Sequence, residues 1–116
     1  MPLSALEQPV YVAKADLFRA LGHPIRIRIL ELLVEAEQPV SRLLSDLAVE
    51  ASTMSQHLAV IKRCGLVTSY RKANTVTYRV SDPSVGQFLA AAREVLAATL
   101  SRSHQTLKEL EGEALR

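Results

Sequence analysis

Two β-branched and tyrosine-rich runs, 66–72 and 75–80, interrupt a chain whose other apolar residues recur mostly at helical spacing. Only Ala73 and Asn74 separate the two runs, and so short a separation is typical of a β-hairpin. Asn tolerates the positive φ that such a tight turn requires, whereas Ala is a poor residue for it. The sequence therefore predicts a mainly helical fold that carries one small two-stranded hairpin.

Apolar residues at helical spacing predict two helices at the start of the chain. Helix 1 is expected over 9–21, where Gly22 would end it. Pro24 suits the first position of helix 2, because the N–H that proline lacks has no partner within the helix there. The alternation at 25–29 is also compatible with a strand, and the leucine-rich run that follows it favours a helix.

Two short helices are expected to follow each other closely over 41–65. Ser41 would cap the first of them, helix 3. Ser52 or Thr53 would cap helix 4, and Thr53 and Gln56 have the spacing of a capping box. The segment 41–65 thus predicts a helix-turn-helix placed directly before the hairpin.

A long last helix is predicted over 83–113, with Asp82 as its cap and Pro83 in its first turn. If about 28 residues of this segment are helical, the helix is roughly 42 Å long. A compact chain of this length has a radius of gyration of only about 13 to 14 Å, so one subunit cannot cover the whole apolar stripe. We therefore expect a homodimer formed through helices 1 and 5. The expected interface residues are Val10, Ala13, Leu17, Phe88, Leu89, Ala92, Val95, Leu96, Thr99 and Leu100.

Length and composition exclude several classes of protein. With 116 residues, 48% of them hydrophobic, the chain is expected to form a single domain over 9–113 after a flexible N-terminus, 1–8. It has neither a basic start leading into an apolar run nor an apolar stretch that could span a bilayer, so we expect a cytoplasmic protein without a membrane partner. A Gly-rich phosphate loop, a nucleophile motif and an acid–base set are all missing, which argues against an enzyme.

Charge is unevenly distributed along the chain. The net charge of +2 is too small to indicate nucleic acid by itself, but the segment 51–81 contains no Asp or Glu. Chance clustering on a solvated face would give the same pattern. The position of the segment in the fold must therefore decide between chance and nucleic-acid binding. It falls on helix 4 and the hairpin. Its basic residues are Lys62, Arg63, Arg71, Lys72 and Arg79.

Helices followed by a hairpin in this order are typical of a winged helix-turn-helix. There, helix 4 would enter the major groove of DNA, and the hairpin 66–80, the wing, would lie along the backbone or the minor groove. A helical wheel places Met54, Leu58 and Ile61 inward and Ser52, Gln56, Ala59 and Arg63 outward. Any surface helix has a polar outer face, but Gln can bond adenine in a bidentate manner, so Gln56 is the first candidate for base recognition.

Three segments resemble motifs of the ArsR/SmtB (arsenic-repressor) family. The stretch 21–30 resembles L-x-x-P-x-R-x-x-I-L, the stretch 52–67 resembles S-x-x-S-x-H-L-x-x-L-x-x-x-G-L-V, and 71–80 resembles the wing pattern R-x-x-G-x-x-x-Y-x-L. The resemblance implies a DNA-binding transcription regulator. The DNA contacts that it implies come from Ser52, Thr53, Ser55, Gln56, His57, Lys62, Arg71, Lys72, Asn74 and Thr75, to which the wheel adds Arg63.

From these patterns we expect a sequence-specific repressor that acts as a homodimer on palindromic double-stranded DNA, with half-sites about one helical turn, ~34 Å, apart. The alternative is a winged-helix protein-interaction module that does not bind DNA specifically. The basic residues of the wing argue against that alternative. The sequence does not indicate an inducer.

Members of the family that sense metals carry metal ligands at positions where this sequence has no suitable side chain. Leu43 and Ser45 occupy the thiolate positions of helix 3. At the start of helix 5, Asp82 is followed by no histidine until His104. We therefore expect no metal and no cofactor, and no release from DNA by zinc, cadmium or arsenite through either site.

Two further residues have open interpretations. For His57, a phosphate contact and a packed capping role are equally compatible with the sequence. Cys64 is a candidate redox switch, because a lone thiol that is ionised and accessible can sense oxidants. Its position before Gly65 favours instead a small buried side chain that packs under the wing.

Overall fold

The boundary between the first two helices is set by three consecutive residues, Gly22, His23 and Pro24. In the computed structural model, which describes residues 8–114, Gly22 is the C-cap residue of α1 (Val10–Leu21) and Pro24 lies in the first turn of α2 (Pro24–Glu35). His23 has an extended backbone, and its Nδ1 accepts a hydrogen bond from the N–H of Ile25 at 3.1 Å. Since the first N–H groups of a helix have no partner within it, His23 acts as the N-cap of α2.

Helices α3 (Val40–Leu47) and α4 (Ala51–Arg63) are present, but the predicted caps are wrong. Both helices begin directly after a residue with an extended backbone, Pro39 for α3 and Glu50 for α4, and neither residue makes a side-chain capping bond. The two helices therefore already include Ser41, Ser52 and Thr53, and none of these residues is an N-cap. For the same reason Thr53 and Gln56 form no capping box.

A left-handed residue connects α3 to α4. Ala48, the C-cap of α3, has φ 51° and ψ 44°, and its N–H bonds to the carbonyl of Leu44. This conformation is strained for any residue with a Cβ, by roughly 1–2 kcal/mol. It ends α3 at Leu47, and α4 begins after only three connecting residues, at Ala51.

The predicted hairpin is confirmed. Strands β2 (Val67–Lys72) and β3 (Thr75–Val80) pair antiparallel in the register Lys72↔Thr75 to Val67↔Val80. The positive φ of the turn belongs to Ala73, at 55°, and not to Asn74 as the turn chemistry predicted. Only the first central residue therefore takes the left-handed conformation, as it does in one class of tight hairpin turn.

A third strand was not predicted. Strand β1 (Gln38–Pro39) pairs antiparallel with β3 and gives the sheet the order β1-β3-β2. It is two residues long and contains a proline, which an edge strand tolerates. So short a strand has no alternation that a sequence could reveal.

The core lies between α2, α3, α4 and the base of the hairpin. Each large apolar side chain buried there contributes about 1.5–3 kcal/mol of stability relative to full exposure. Together these contacts hold α4 by its inner face. The largest fully buried side chains are Ile29, Leu30, Leu43, Met54, Ile61 and Val67.

Helix α5 (Ser84–Ala114) is a single helix of 31 residues, or about 46 Å. The Asp82 carboxylate accepts the N–H of Ser84 at 2.8 Å, as expected of a cap, and hydrogen bonds from the side chain and backbone of Ser84 hold the pKa of Asp82 below its usual value. One structural unit ends at Val85, in the first turn of α5, and the second begins at Gly86 and contains the remainder of that helix. Several large apolar residues of α5 are exposed: Val95, Leu96, Leu100, Leu107 and Leu110.

Within residues 8–114, no helix is both long enough and apolar enough to cross a membrane. Of the N-terminus that the sequence predicted to be flexible, residues 1–7 lie outside the described residues.

Candidate nucleic-acid interface

Helix α4 separates cleanly into a buried face and an exposed face. Met54, Leu58 and Ile61 are almost fully buried, as the helical wheel predicted. The opposite face is polar and consists largely of small side chains, so another molecule can approach it closely. Its exposed residues are Ser52, Ser55, Gln56, Ala59 and Arg63, with Thr53 and His57 half-buried at its edge.

The basic residues of this surface are not neutralised by acidic neighbours. The ion pairs among residues 8–114 join Arg19 to Asp16, Arg28 to Glu31 and Arg42 to Asp46, all outside the acid-free segment 51–81. Arg63 on α4 and Arg71 and Lys72 on β2 are exposed. Their charges are therefore available to an anionic partner.

The tip of the hairpin is fully exposed. Lys72 and Thr75 face each other at its end, with Asn74 between them and Arg71 one position behind. The structure thus brings the four predicted wing residues together on one small projection. In combination with the outer face of α4, they form a basic, polar surface that we call the basic surface, made up of the exposed residues of 52–63 and 71–75.

Arg79, the remaining basic residue of the hairpin, is held within the sheet. Its Nε–H donates to Thr68 Oγ1 at 3.2 Å, and its guanidinium lies 5.6 Å from the centre of the Tyr70 ring. Tyr70 in turn donates its hydroxyl hydrogen to Glu37, and that bond raises the pKa of Tyr70 above its ordinary value. This chain of contacts ties β2 to the segment that precedes β1.

Lys62 bridges α4 and the hairpin. Its Nζ donates to Ser69 Oγ at 2.8 Å and lies 6.0 Å from the centre of the Tyr78 ring. Sequence reasoning missed both partners. The hairpin register indicates only that the two partners lie side by side, because a two-residue turn at 73–74 places Ser69 opposite Tyr78.

A groove of about 680 Å³ lies beside this bridge. It runs between the first turn of α3, the outer face of α4 and the hairpin, and Ser41, Ser55, Lys62 and Asn74 are among its lining residues. Its wall is therefore shared by the helix and the hairpin that carry the basic surface.

His23 and His57, which are far apart in the sequence, meet in the structure. Their ring centroids are 4.3 Å apart with the planes tilted by 46°. Burial, followed by the nearby charges of His23 and Arg26, lowers the pKa of His57 below 6.5. The contact supports the packed interpretation of His57. Its sequence spacing to His23 gave no indication of this pair.

This lowered pKa predicts a stability that depends on pH. The native state holds His57 neutral, whereas the unfolded chain protonates it near its ordinary pKa of 6.5. Protonation of His57 therefore has no effect on stability well above pH 6.5, and it destabilises the native state increasingly as the pH falls below that value. Urea unfolding at pH 7.5 and 5.5 should give a smaller loss of stability for His57→Gln than for the wild type. The exposed His104→Gln is the matched control, and an equal loss in all three proteins would contradict the assignment.

Cys64 is exposed, so the prediction that it is buried under the wing is wrong. The chain leaves α4 at this residue, and Gly65, with φ 77°, turns it towards β2. The nearby residue that is buried is Val67, the first residue of β2. A redox role for Cys64 stays a prediction.

The positions of the family's metal ligands are occupied by unsuitable side chains. Leu43 is fully buried in the core and Ser45 is exposed. Within residues 8–114, no three His, Cys, Asp or Glu side chains are grouped in a way that could hold a metal ion.

Residues 23–69 match the model of a family described as bacterial regulatory protein, arsR family. An uncharacterised HTH-type transcriptional regulator of Mycobacterium tuberculosis, Rv0081, is 45% identical over 104 residues, which cover 89% of this chain and 91% of the relative. A biofilm growth-associated repressor of Xylella fastidiosa is 30% identical over 84 residues, 72% of this chain and 74% of that protein.

Solved structures give the same picture. The crystal structure of Rv0081 from M. tuberculosis superposes with a TM-score of 0.78 and 46% identity, over 84% of this chain and 98% of that one. The homodimeric winged helix-turn-helix DNA-binding domain of Mb0332 from Mycobacterium bovis, solved by NMR, gives a TM-score of 0.75 at 25% identity, over 86% and 93% of the two chains.

Proposed function

Because the chain belongs to the arsR family of bacterial regulatory proteins, we propose that it is a cytoplasmic repressor that binds a palindromic operator as a homodimer. The family and its relatives are transcription regulators rather than enzymes, as the sequence predicted. The winged helix-turn-helix fold of the solved neighbours confirms the predicted fold class. One observation carries the proposal: the exposed face of α4 and the wing tip present basic and polar groups in a segment without a single acidic residue.

The proposed binding mode places α4 in the major groove and the wing along the flanking backbone. Small side chains such as Ser52 and Ser55 would let the helix approach the base edges, and Gln56 would read adenine. Arg71 and Lys72 would neutralise phosphates. The remaining proposed contacts are Thr53, His57, Arg63, Asn74 and Thr75.

We propose that 9–113 works as one functional domain with a division of labour. The helix-turn-helix, 41–65, and the wing, 66–80, would bind DNA, while the helices at 9–21 and 83–113 would bind the second copy. The exposed apolar residues of α5 and the exposed Val10 of α1 support this dimer. So does the homodimer of the Mycobacterium bovis relative. Two-fold symmetry would present two copies of α4 to half-sites ~34 Å apart.

Repression would follow from occupation of the operator. A relative from Xylella fastidiosa is named a repressor, whereas another, from Vibrio cholerae and 38% identical over 85 residues, is named a transcriptional activator. Transcription in vitro from a template carrying the protein's own upstream DNA decides between these roles. Added protein should reduce the transcript. An increase would contradict repression while leaving DNA binding intact.

The assignment of Gln56 to base recognition has a test of its own. Gln56→Ala should relax the preference at one base pair of each half-site, with a loss of ~1–3 kcal/mol on the preferred sequence only. Arg71→Ala should weaken binding to all sequences alike, since a phosphate contact carries no sequence information. Competition between operators that differ at single base pairs measures both effects. If both variants weaken every operator uniformly, Gln56 does not read a base.

A further inference from the structure

Lys62 differs from the other basic residues of the basic surface because its side chain contacts other side chains of the protein. Its ammonium donates to Ser69 Oγ at 2.8 Å and lies 6.0 Å from the centre of the Tyr78 ring. Among the described residues, Arg63, Arg71 and Lys72 make no hydrogen bond or ion pair with another side chain. One lysine is thus engaged with the hairpin while its basic neighbours are available to solvent.

Both partners of Lys62 lie on the hairpin and face each other across it. Ser69 on β2 and Tyr78 on β3 are register partners, and β3 at Tyr78 also pairs with Gln38 of β1. A single side chain of α4 therefore contacts both strands of the wing at one level. Beyond that level, the hairpin from Arg71 to Thr75 is exposed.

We infer that Lys62 is a positioning residue: it fixes the wing relative to α4 so that both can contact the same DNA duplex. This inference rests on the proposed DNA binding. To bind a phosphate, the Lys62 ammonium would have to leave a charge-assisted hydrogen bond and an aromatic face, whereas Arg63, Arg71 and Lys72 would give up no such partners. The Lys62 bridge also borders the groove between α4 and the hairpin, so it sets the separation of two elements that must follow the fixed geometry of DNA.

Ser69 offers a sharp test, because it carries no charge and is not among the proposed DNA contacts. Ser69→Ala removes the acceptor and leaves the Lys62 charge in place, Lys62→Met removes the whole bridge, and Ser69→Thr keeps a hydroxyl. Fluorescence anisotropy on operator DNA should show a loss of about three- to tenfold for Ser69→Ala, which is the size expected for one hydrogen bond, and recovery for Ser69→Thr. Lys62→Met and the double variant Lys62→Met/Ser69→Ala should bind equally to each other, because both lack the same bridge.

Salt dependence separates positioning from phosphate binding. Ser69→Ala and Lys62→Met should keep the wild-type slope of log affinity against log salt. The matched control Arg63→Met should lower the slope by about 0.9 for each phosphate that is no longer neutralised. If Lys62→Met lowers the slope as Arg63→Met does, and Ser69→Ala binds as well as the wild type, Lys62 binds a phosphate and the inference is overturned. Additive effects in the double variant would also overturn it.

A measurement without DNA tests the bridge independently of the proposed function. Hydrogen exchange of the backbone amides in 69–78 should become faster in Ser69→Ala and Lys62→Met and stay unchanged in Arg63→Met and Ser69→Thr. Unchanged exchange in Ser69→Ala would overturn the positioning role. Faster exchange in a protein that binds no DNA would contradict the proposed function and leave the bridge established.

Discussion

Replacing Leu96 with glutamate is expected to convert the proposed homodimer into monomers and to lower the affinity for a two-fold operator by about 100-fold or more. Leu96 is 59% exposed in the single chain, and Val95 and Leu100 beside it are 66% and 60% exposed. A two-fold interface contains every residue twice, so one substitution places two carboxylates in the buried contact. The cost of burying unpaired charges exceeds what such a contact can offset.

Two measurements follow this variant. Light scattering coupled to size exclusion should give the mass of a monomer for Leu96→Glu and of a dimer for the wild type. The operator titration should then lose the advantage of binding two half-sites at once. Gln87→Glu is the matched control, because it adds the same charge on an exposed residue of α5 about 180° from Leu96 on the helical wheel. A dimeric Leu96→Glu protein with normal operator binding would show that another surface forms the dimer.

The parts of the fold that the sequence predicted are those with a strong local pattern. The buried face of α4 follows from helical periodicity, since Met54, Leu58 and Ile61 recur at three and four residues. The hairpin follows from two β-branched runs around a two-residue turn. Strand β1, in contrast, exists only because Gln38 lies opposite Tyr78, and a long-range pairing of two residues leaves no local pattern.

The errors in the capping predictions have a common cause. Hydroxyl and amide side chains favour the N-cap position, but the position itself is set by where the chain leaves an extended conformation. Pro39 and Glu50 are extended, so α3 and α4 begin before Ser41 and Ser52. His23 caps α2 with a ring nitrogen instead, a role that the usual set of capping residues does not include.

The candidate site residues could be predicted from the sequence more readily than the residues that contact them in the structure. The acid-free segment and its order in the fold pointed to α4 and the wing without any knowledge of tertiary contacts. The partners that hold these residues depend on packing, and so the contact of His57 with His23 appeared only in the structure. Cys64 was misplaced because its position before Gly65 favoured packing under the wing, whereas this C-cap residue of α4 is exposed in the structure.

DNA binding is expected to weaken steeply with salt, by about 10³-fold between 50 and 200 mM. In the segments 52–63 and 71–75, each protomer offers three exposed basic side chains that make no hydrogen bond or ion pair with another side chain, Arg63, Arg71 and Lys72, and the proposed dimer would offer twice as many. If each neutralises one phosphate, the release of counterions gives a slope of log affinity against log salt of roughly −5. Anisotropy titrations at four or more salt concentrations on one operator measure this slope.

Variants then show where the slope originates. Arg71→Met should reduce its magnitude by roughly 2, because the substitution removes one phosphate contact from each half of the dimer. Arg28→Met is the matched control, because Arg28 lies on α2 outside the basic surface and is paired with Glu31 at 3.4 Å. Its removal should leave the slope unchanged. A nearly flat wild-type plot would mean that the basic surface does not bind a phosphate backbone, and it would favour the protein-interaction module. A steep plot that Arg28→Met and Arg71→Met reduce equally would instead mean that DNA responds to net charge alone, without the defined contacts proposed for the wing.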